Sequence, residues 1–156
     1  MSLNGDNSRN FLIIGIGNPL RCDDGIGPYV AERIEAEGLN GVKVWTTQQL
    51  QLEDLERMLE FKGVVLIDAS VDGQPLDFRP IQSTGGQLAS SHHICAETFV
   101  SLAKSIYHKE LKMELCSIRG LCFDTGDTLS PAVLERAAEA VKLICCSLKG
   151  KVVSLK

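Results

Sequence analysis

The sequence predicts a three-layer α/β/α domain whose central sheet is mostly parallel. Two short runs, residues 11–14 and 64–67, are continuously apolar, as is typical of strands covered on both faces. Around these runs, apolar residues recur at helical spacing, so strands and helices alternate along the chain. The 156 residues suffice for one well-covered core, with right-handed crossovers between parallel strands.

The first β-α unit is predicted from an apolar strand followed by a helical repeat. A strand over residues 11–17 leads into a helix in which Ile26, Val30 and Ile34 recur at helical spacing. Gly38 follows as a C-terminal cap, because glycine adopts the left-handed conformation that commonly ends a helix.

The pattern then repeats before it becomes irregular. Residues 42–47 are predicted to form a short strand, residues 50–59 an amphipathic helix and residues 64–67 a buried strand. Residues 71–83 contain one glycine and two prolines and are predicted to form a loop. Within that loop, residues 76–78 are predicted to form a short edge strand, so one strand of the sheet could be antiparallel.

The second half is predicted to contain two helices and one strand. A helix over residues 95–107 has an apolar face, and a strand follows over residues 113–118. That face consists of Cys95, Phe99, Leu102, Ala103 and Ile106. The last helix is capped by Ser130 and has Pro131 in its first turn. Its buried stripe is predicted to be Leu134, Ala137, Ala138, Val141 and Ile144.

One domain accounts for most of the chain. Residues 11–150 are predicted to form it, with a disordered leader over residues 1–10 and a C-terminal tail over residues 151–156. No internal repeat or low-complexity tract is apparent.

The net charge disfavours some classes of partner, and the cysteine spacing indicates the state of the thiols. The net charge is −4 and the chain contains no basic run, which disfavours nucleic acid or an anionic membrane as partner. No window is apolar over the length of a bilayer, and cytoplasmic residence is expected. The six cysteines form no C-x-x-C pair and are expected to be reduced thiols.

Polar residues that could carry chemistry follow the predicted strands. Asp23 and Asp24 come after the first strand, Asp68 closes the third, and His92 and His93 precede a helix. Ligands bind beyond the carboxyl ends of strands in open α/β sheets, so these side chains are expected to converge. Two carboxylates and an imidazole suit zinc, nickel or a similar divalent ion, with open positions for water or substrate.

Structural roles are open alternatives for each of these residues. Asp24 could cap the following helix, Asp68 could stabilise a turn, and either histidine could be a helix-entry residue. Cys22 could be a nucleophile with His92 as base, although two neighbouring aspartates would raise the pKa of its thiol. Leu20 occupies the position of the third glycine of a dinucleotide fingerprint, which makes nucleotide binding a minor alternative.

The chain resembles the hydrogenase maturation endopeptidases, which trim the C-terminus of the nickel-containing large subunit. The strongest match is the run GIGNPLRCDDGIG at residues 15–27, which is similar to the signature G-x-G-N-x-L-x-x-D-[DE]-x-x-G. Further matches are VLIDA at residues 65–69, SSH at residues 90–92 and GDTLSP at residues 126–131. All of them occur in the family's order, with Cys22 where many members have a small residue.

The resemblance implies both a reaction and a ligand set. Asp24, Asp68 and His92 would be the catalytic, metal-contacting residues; His92 is preferred over His93 because it follows the serine pair. The substrate would be the immature, nickel-loaded hydrogenase large subunit, which brings the metal, so no tightly bound resident metal is expected. A metal-dependent assembly chaperone of the same fold is the alternative function, and a small-molecule hydrolase is a further one.

Overall fold

The computed structural model describes residues 10–82 and 96–154, and these contain five strands and four α-helices. The strands are β1 (Phe11–Ile16), β2 (Val42–Thr47), β3 (Gly63–Ser70), β4 (Leu76–Pro80) and β5 (Met113–Arg119). The helices are α1 (Ile26–Ala36), α2 (Asp54–Met58), α3 (Ala96–Tyr107) and α4 (Pro131–Ser154), and a 3-10 helix spans Cys22–Gly25.

The strands form one mixed sheet in the order β2-β1-β3-β5-β4. β1 runs parallel to β2 and β3, β3 runs parallel to β5, and β4 pairs antiparallel with β5 at the edge. The predicted mostly parallel sheet with one antiparallel strand is confirmed. Pro80 ends the edge strand, where a missing backbone N–H costs no ladder bond inside the sheet.

Helices cover both faces of the sheet, which gives the three predicted layers. On one face α1 and α4 pack on alternate strand residues, among them Ile13, Val65 and Ile67. On the other face α2 and α3 pack on the residues between them, among them Leu12 and Leu66. Because both faces are buried, β1 and β3 are apolar at nearly every position.

Several element boundaries differ from their predictions. α2 covers only Asp54–Met58 of the ten residues predicted to be helical. β3 continues through Asp68 to Ser70, because its last residues pair with the end of β5. α4 extends to Ser154, so residues 151–154 continue a helix rather than forming a tail. No helix among the described residues is long and apolar enough to cross a membrane.

The buried stripe of α4 is rotated relative to the prediction. Leu134 and Ala138 face outward, whereas Val133 and Ala140 are buried together with Ala137 and Ile144. The first half of the helix contains apolar residues on several faces, so its sequence does not select one helical phase. In α3, Phe99 and Ala103 are buried as predicted, Ile106 is 61% exposed, and Cys95 lies outside the described residues.

Gly27 lets α1 approach the sheet closely. A Cβ atom at this residue would lie 2.5 Å from the Ile67 carbonyl oxygen and would also overlap the Ile16 carbonyl oxygen. Both atoms are backbone in the centre of the sheet, so neither can move aside as a side chain can. The glycine therefore sets the distance between the start of α1 and the ends of β1 and β3.

We expect Gly27→Ala to destabilise the protein by at least about 2 kcal/mol, because the added methyl group overlaps backbone oxygens. Gly150→Ala is the matched control, since Gly150 lies in α4 and a Cβ atom there would meet nothing within 4 Å. That control should gain about 0.5 kcal/mol from helix propensity. Urea unfolding measures both, and equal effects of the two substitutions would contradict the packing argument.

Candidate active site

The candidate site is built on the loop that joins β1 to α1, residues 17–25, called here the site loop. Gly17 begins it with φ of +148°, and its N–H donates to the Thr47 carbonyl oxygen at 2.9 Å. A Cβ atom at Gly17 would collide with the Asp24 carbonyl oxygen. The site loop therefore folds back on its own start, which brings Asp24 to the end of β1.

Asp24 is held inside the site loop rather than at the end of a helix. Its Oδ2 accepts a hydrogen bond of 2.8 Å from the Asn18 N–H. The N-cap residue of α1 is Gly25, which has no side chain, so the alternative that Asp24 caps this helix is wrong. One carboxylate oxygen is engaged in this bond, and the side chain remains partly exposed.

Asp68 lies within β3 and is in register with Ile16, the last residue of β1. Burial raises the pKa of its carboxyl to about 6, against the opposing effect of a hydrogen bond from the Ala69 N–H. The negative charge of Asp24 raises it further. Asp24 and Asp68 are therefore electrostatic neighbours at the carboxyl edge of the sheet, which is where the sequence predicted polar residues to meet.

The third predicted ligand cannot be placed. His92 and its alternative His93 both lie in the 83–95 gap, outside the described residues. Among residues 10–82 and 96–154, no three histidine, cysteine or acidic side chains form a group that could hold a metal ion. The ligand roles of Asp24, Asp68 and His92 accordingly stay predictions.

Asp23, the other acid of the pair, has a different environment and is fully buried. Its Oδ2 accepts hydrogen bonds from the Leu121 N–H at 2.8 Å and the Cys122 N–H at 2.9 Å. Ser130 donates twice at 2.7 Å, from its N–H to Oδ1 and from its hydroxyl to Oδ2. All four donors belong to residues 120–130, called here the 120–130 segment.

These hydrogen bonds keep Asp23 ionised although it is buried. Burial by itself raises the pKa of its carboxyl, but the donors from Ser130, Leu121 and Cys122 outweigh burial and leave the pKa below its usual value. The carboxylate is thus fully occupied as an acceptor. The sequence places Asp23 among the candidate site residues, whereas its contacts give it a structural role.

Ser130 contributes to helix α4 in a way that differs from the prediction. Its carbonyl oxygen accepts the Val133 and Leu134 N–H groups, as expected at a helix start. Its hydroxyl, predicted to cap the helix, donates to Asp23. The serine therefore connects α4 to the site loop. Its hydroxyl is oriented towards its acceptor, the buried Asp23, which lies about 100 residues earlier in the sequence.

Cys22 is placed unfavourably for nucleophilic chemistry. The pKa of its thiol is raised, first by a hydrogen bond with Cys122 and next by burial. The negative charges of Asp23 and Asp124 raise it further. Since the thiolate is the nucleophilic form, these effects oppose the alternative in which Cys22 attacks the substrate.

Two cavities in the described structure lie away from the two carboxylates. A cleft of about 950 Å³ is lined by residues at the amino ends of β1, β3 and β5, on the opposite edge of the sheet. A recess of about 260 Å³ lies between the end of β2 and helix α2, where the Arg57 guanidinium stacks 3.8 Å from the centre of the Trp45 ring. Neither cavity is lined by Asp24 or Asp68.

Several solved structures with similar folds are described as hydrogenase maturation peptidases or proteases. A [NiFe] hydrogenase maturation protease, HycI, from Thermococcus kodakarensis KOD1 matches with a TM-score of 0.70 and 25% identity, over 92% of this chain and 95% of that one. A hydrogenase 2 maturation peptidase from Thaumarchaeota archaeon SCGC_AB-539-E09 matches at 0.66 and 26%, over 90% and 98%. The E. coli hydrogenase maturating endopeptidase HybD matches at 0.69 and 18%, over 91% and 93%.

The chain has the fold of the hydrogenase maturation endopeptidases. The resemblance predicted from the site loop is thereby confirmed at the level of structure, and the names of these neighbours support a peptidase. No protein-family model matches the sequence, and comparison with curated proteins finds no match. The similarity to these peptidases therefore lies in the three-dimensional fold and in the short sequence motifs.

The two neighbouring acids of the site loop are expected to respond differently to substitution. Asp23→Ala leaves buried N–H groups of the 120–130 segment without an acceptor, so it should cost at least about 3 kcal/mol of unfolding free energy. Asp24→Ala removes one hydrogen bond from a partly exposed position and should cost about 1 kcal/mol. Urea unfolding compares the two directly; equal losses would mean that Asp23 does not anchor the segment.

Asp68→Asn should stabilise the protein at neutral pH. The folded-state pKa of about 6 exceeds the ordinary value of 3.8, so ionisation of Asp68 destabilises the fold above that pKa. The asparagine variant avoids this cost and should gain up to about 3 kcal/mol at pH 7. The gain should shrink as the pH falls from 6 and vanish as the pH falls below 3.8, because the wild-type carboxyl then becomes protonated in both states. Urea unfolding at several pH values measures this difference, and a gain that persists at low pH would refute its electrostatic origin.

Proposed function

We propose that the protein is an endopeptidase that removes a C-terminal extension from the nickel-loaded precursor of a hydrogenase large subunit. The observation that supports this most is the pair of interacting carboxylates, Asp24 and Asp68, at the carboxyl edge of the sheet. They lie in the fold of proteins named hydrogenase maturation peptidases, two of which are 25% and 26% identical to this chain.

The chemistry of the donor set fits a divalent ion supplied by the substrate. Asp24 and Asp68 offer carboxylate oxygens, and we propose that His92 adds an imidazole nitrogen. Three such ligands leave coordination positions open for groups of the substrate or for water. An incomplete set of this kind favours weak affinity for free metal, so we propose that the purified protein holds no tightly bound ion.

The candidate site could promote peptide hydrolysis in two ways, through an ion that its side chains contact or through a general base. An ion contacted by these side chains would polarise the scissile carbonyl group or lower the pKa of an attacking water. Alternatively, Asp68 acts as general base, for which a pKa of about 6 is close to the range that suits proton transfer near neutrality. Asp24, held by the Asn18 N–H, supplies the neighbouring negative charge in either case.

A non-enzymatic assembly chaperone of the same fold is the second candidate, because two carboxylates could dock a metal-bearing partner without cleaving it. A small-molecule hydrolase is the third candidate, and a substrate pocket would be expected around its catalytic residues. The cleft and the recess both lie away from Asp24 and Asp68.

The test is cleavage of a purified hydrogenase large-subunit precursor, prepared with and without nickel. Wild-type protein should shorten only the nickel-loaded form, and His92→Ala, Asp24→Asn and Asp68→Asn should each abolish cleavage, the first by removing a ligand and the other two by removing the negative charge of a carboxylate. Asparagine is chosen at both acidic positions because its amide oxygen can still accept the Asn18 N–H in the first variant, and because the second variant is expected to stabilise the fold. An inactive but more stable Asp68→Asn protein cannot be explained by unfolding.

Controls separate the proposed peptidase from its alternatives. Asp72→Asn changes an exposed carboxylate between β3 and β4 and should leave cleavage unchanged. Cys22→Ser should retain much of the activity; if it were inactive with an unchanged melting temperature while His92→Ala was active, thiol chemistry would replace the metal site. Binding of the nickel-loaded precursor without cleavage would favour the chaperone, and a stoichiometric metal that survives chelation would indicate a resident-metal hydrolase.

A further inference from the structure

Two cysteines from distant parts of the chain are brought together by backbone hydrogen bonds beside the candidate active site. Cys22 begins the 3-10 helix of the site loop, and Cys122 lies in the 120–130 segment, about 100 residues later. An interaction with the Cys122 thiol raises the pKa of the Cys22 thiol, and the Cys122 Sγ donates to the Asp124 Oδ2 at 3.8 Å. Both cysteines are half-buried, and neither is in a disulfide. The proposed peptidase chemistry uses neither thiol.

The backbone holds these thiols together. The Cys22 N–H donates to the Gly126 carbonyl oxygen at 2.8 Å, and the Asp23 N–H donates to the Cys122 carbonyl oxygen at 2.9 Å. Cys22 has φ of +46°, a left-handed conformation that a residue with a side chain keeps only when its surroundings impose it. The close approach of the two cysteines is therefore part of the packed structure.

The space around the Cys22 thiol also restricts where it can point. A Cβ atom at Gly126 would lie 3.0 Å from the Cys22 Sγ, so the glycine provides room for the sulfur. The other described cysteines have no comparable arrangement across two segments: Cys116 and Cys145 are buried, and Cys146 is exposed on α4. The Cys22–Cys122 pair is thus distinct in its geometry.

We propose that Cys22 and Cys122 are a redox modification site that forms a reversible disulfide with an oxidised low-molecular-weight disulfide as the oxidant. One protein thiolate attacks a sulfur of the oxidant, forming a mixed disulfide and releasing one small thiol. The other protein thiolate attacks the protein sulfur of that mixed disulfide and releases the second small thiol. The two cysteines lose two protons and two electrons, and the oxidant is reduced to two thiols.

The disulfide joins the site loop covalently to the 120–130 segment. The two sulfur atoms must approach to the S–S bond length of about 2.05 Å, which requires rotation of the side chains. Closing a loop of about 100 residues also restricts the unfolded chain, so the oxidised protein should be more stable than the reduced one. This inference does not rest on the proposed peptidase activity, because every readout is made on the free protein.

The experiment treats the reduced full-length chain with oxidised glutathione in mildly alkaline buffer, where thiolates are available. Peptide mapping without reductant should find the Cys22 and Cys122 peptides linked, with the loss of two hydrogen atoms. The melting temperature should rise on oxidation and return after treatment with dithiothreitol. Cys22→Ser and Cys122→Ser should each abolish the link and the rise, whereas Cys146→Ser, the matched control, should retain both.

Differential alkylation of the wild-type protein provides a measurement that needs no variant to fold. After oxidation, Cys22 and Cys122 should be protected from alkylation together and become reactive together after reduction. The proposal is overturned if both remain free thiols while Cys146 is modified, if each carries a separate glutathione adduct, or if either is linked to a different cysteine. An unchanged melting temperature of the linked protein would overturn the proposed stabilisation by the link between the two segments.

Discussion

The buried carboxylate of Asp23 is the interaction on which the arrangement around the site depends. It accepts four hydrogen bonds from three residues of the 120–130 segment and thereby links the site loop to the chain that enters α4. Loops at the edge of a sheet make few hydrogen bonds of their own. A carboxylate that accepts several hydrogen bonds can therefore order two loops at once. Asp24 is the next residue in the chain, so the hydrogen bonds of Asp23 also fix its position.

Asp23 and Asp68 have opposite electrostatic environments. Donors surround Asp23 and lower the pKa of its carboxyl, whereas burial in β3 and the nearby charge of Asp24 raise the pKa of Asp68. The first arrangement stabilises the fold, and the second destabilises it at neutral pH. A carboxylate whose pKa is raised strongly by burial and a neighbouring negative charge is more typical of functional sites than of structural ones, which favours Asp68 over Asp23 as a residue of the reaction.

Hydrophobic periodicity and composition correctly predicted the elements whose burial follows a regular pattern. Strands β1 and β3 are buried on both faces, so their apolar runs were sufficient, and Ile26, Val30 and Ile34 indicated the buried face of α1 correctly. The stripe of α4 was mispredicted because apolar residues occur on several of its faces. The hydroxyl of Ser130 could not be assigned from local sequence, since its acceptor, Asp23, lies in another part of the chain.

The glycines of the site loop and of the first turn of α1 show why a motif was informative where periodicity was not. Gly17 and Gly27 are required by close backbone approaches to Asp24 and to the strand ends, so they report on the packing of α1 against β1 and β3. That close packing brings Asp24 near the half-buried Asp68, and the negative charge of Asp24 favours the protonated form of Asp68. A divalent cation bound between the two carboxylates would reverse this balance, because it stabilises both negative charges and displaces the proton. Cation binding and proton release at Asp68 would therefore be coupled, and the electrostatic repulsion within the free site would be relieved by a positively charged partner.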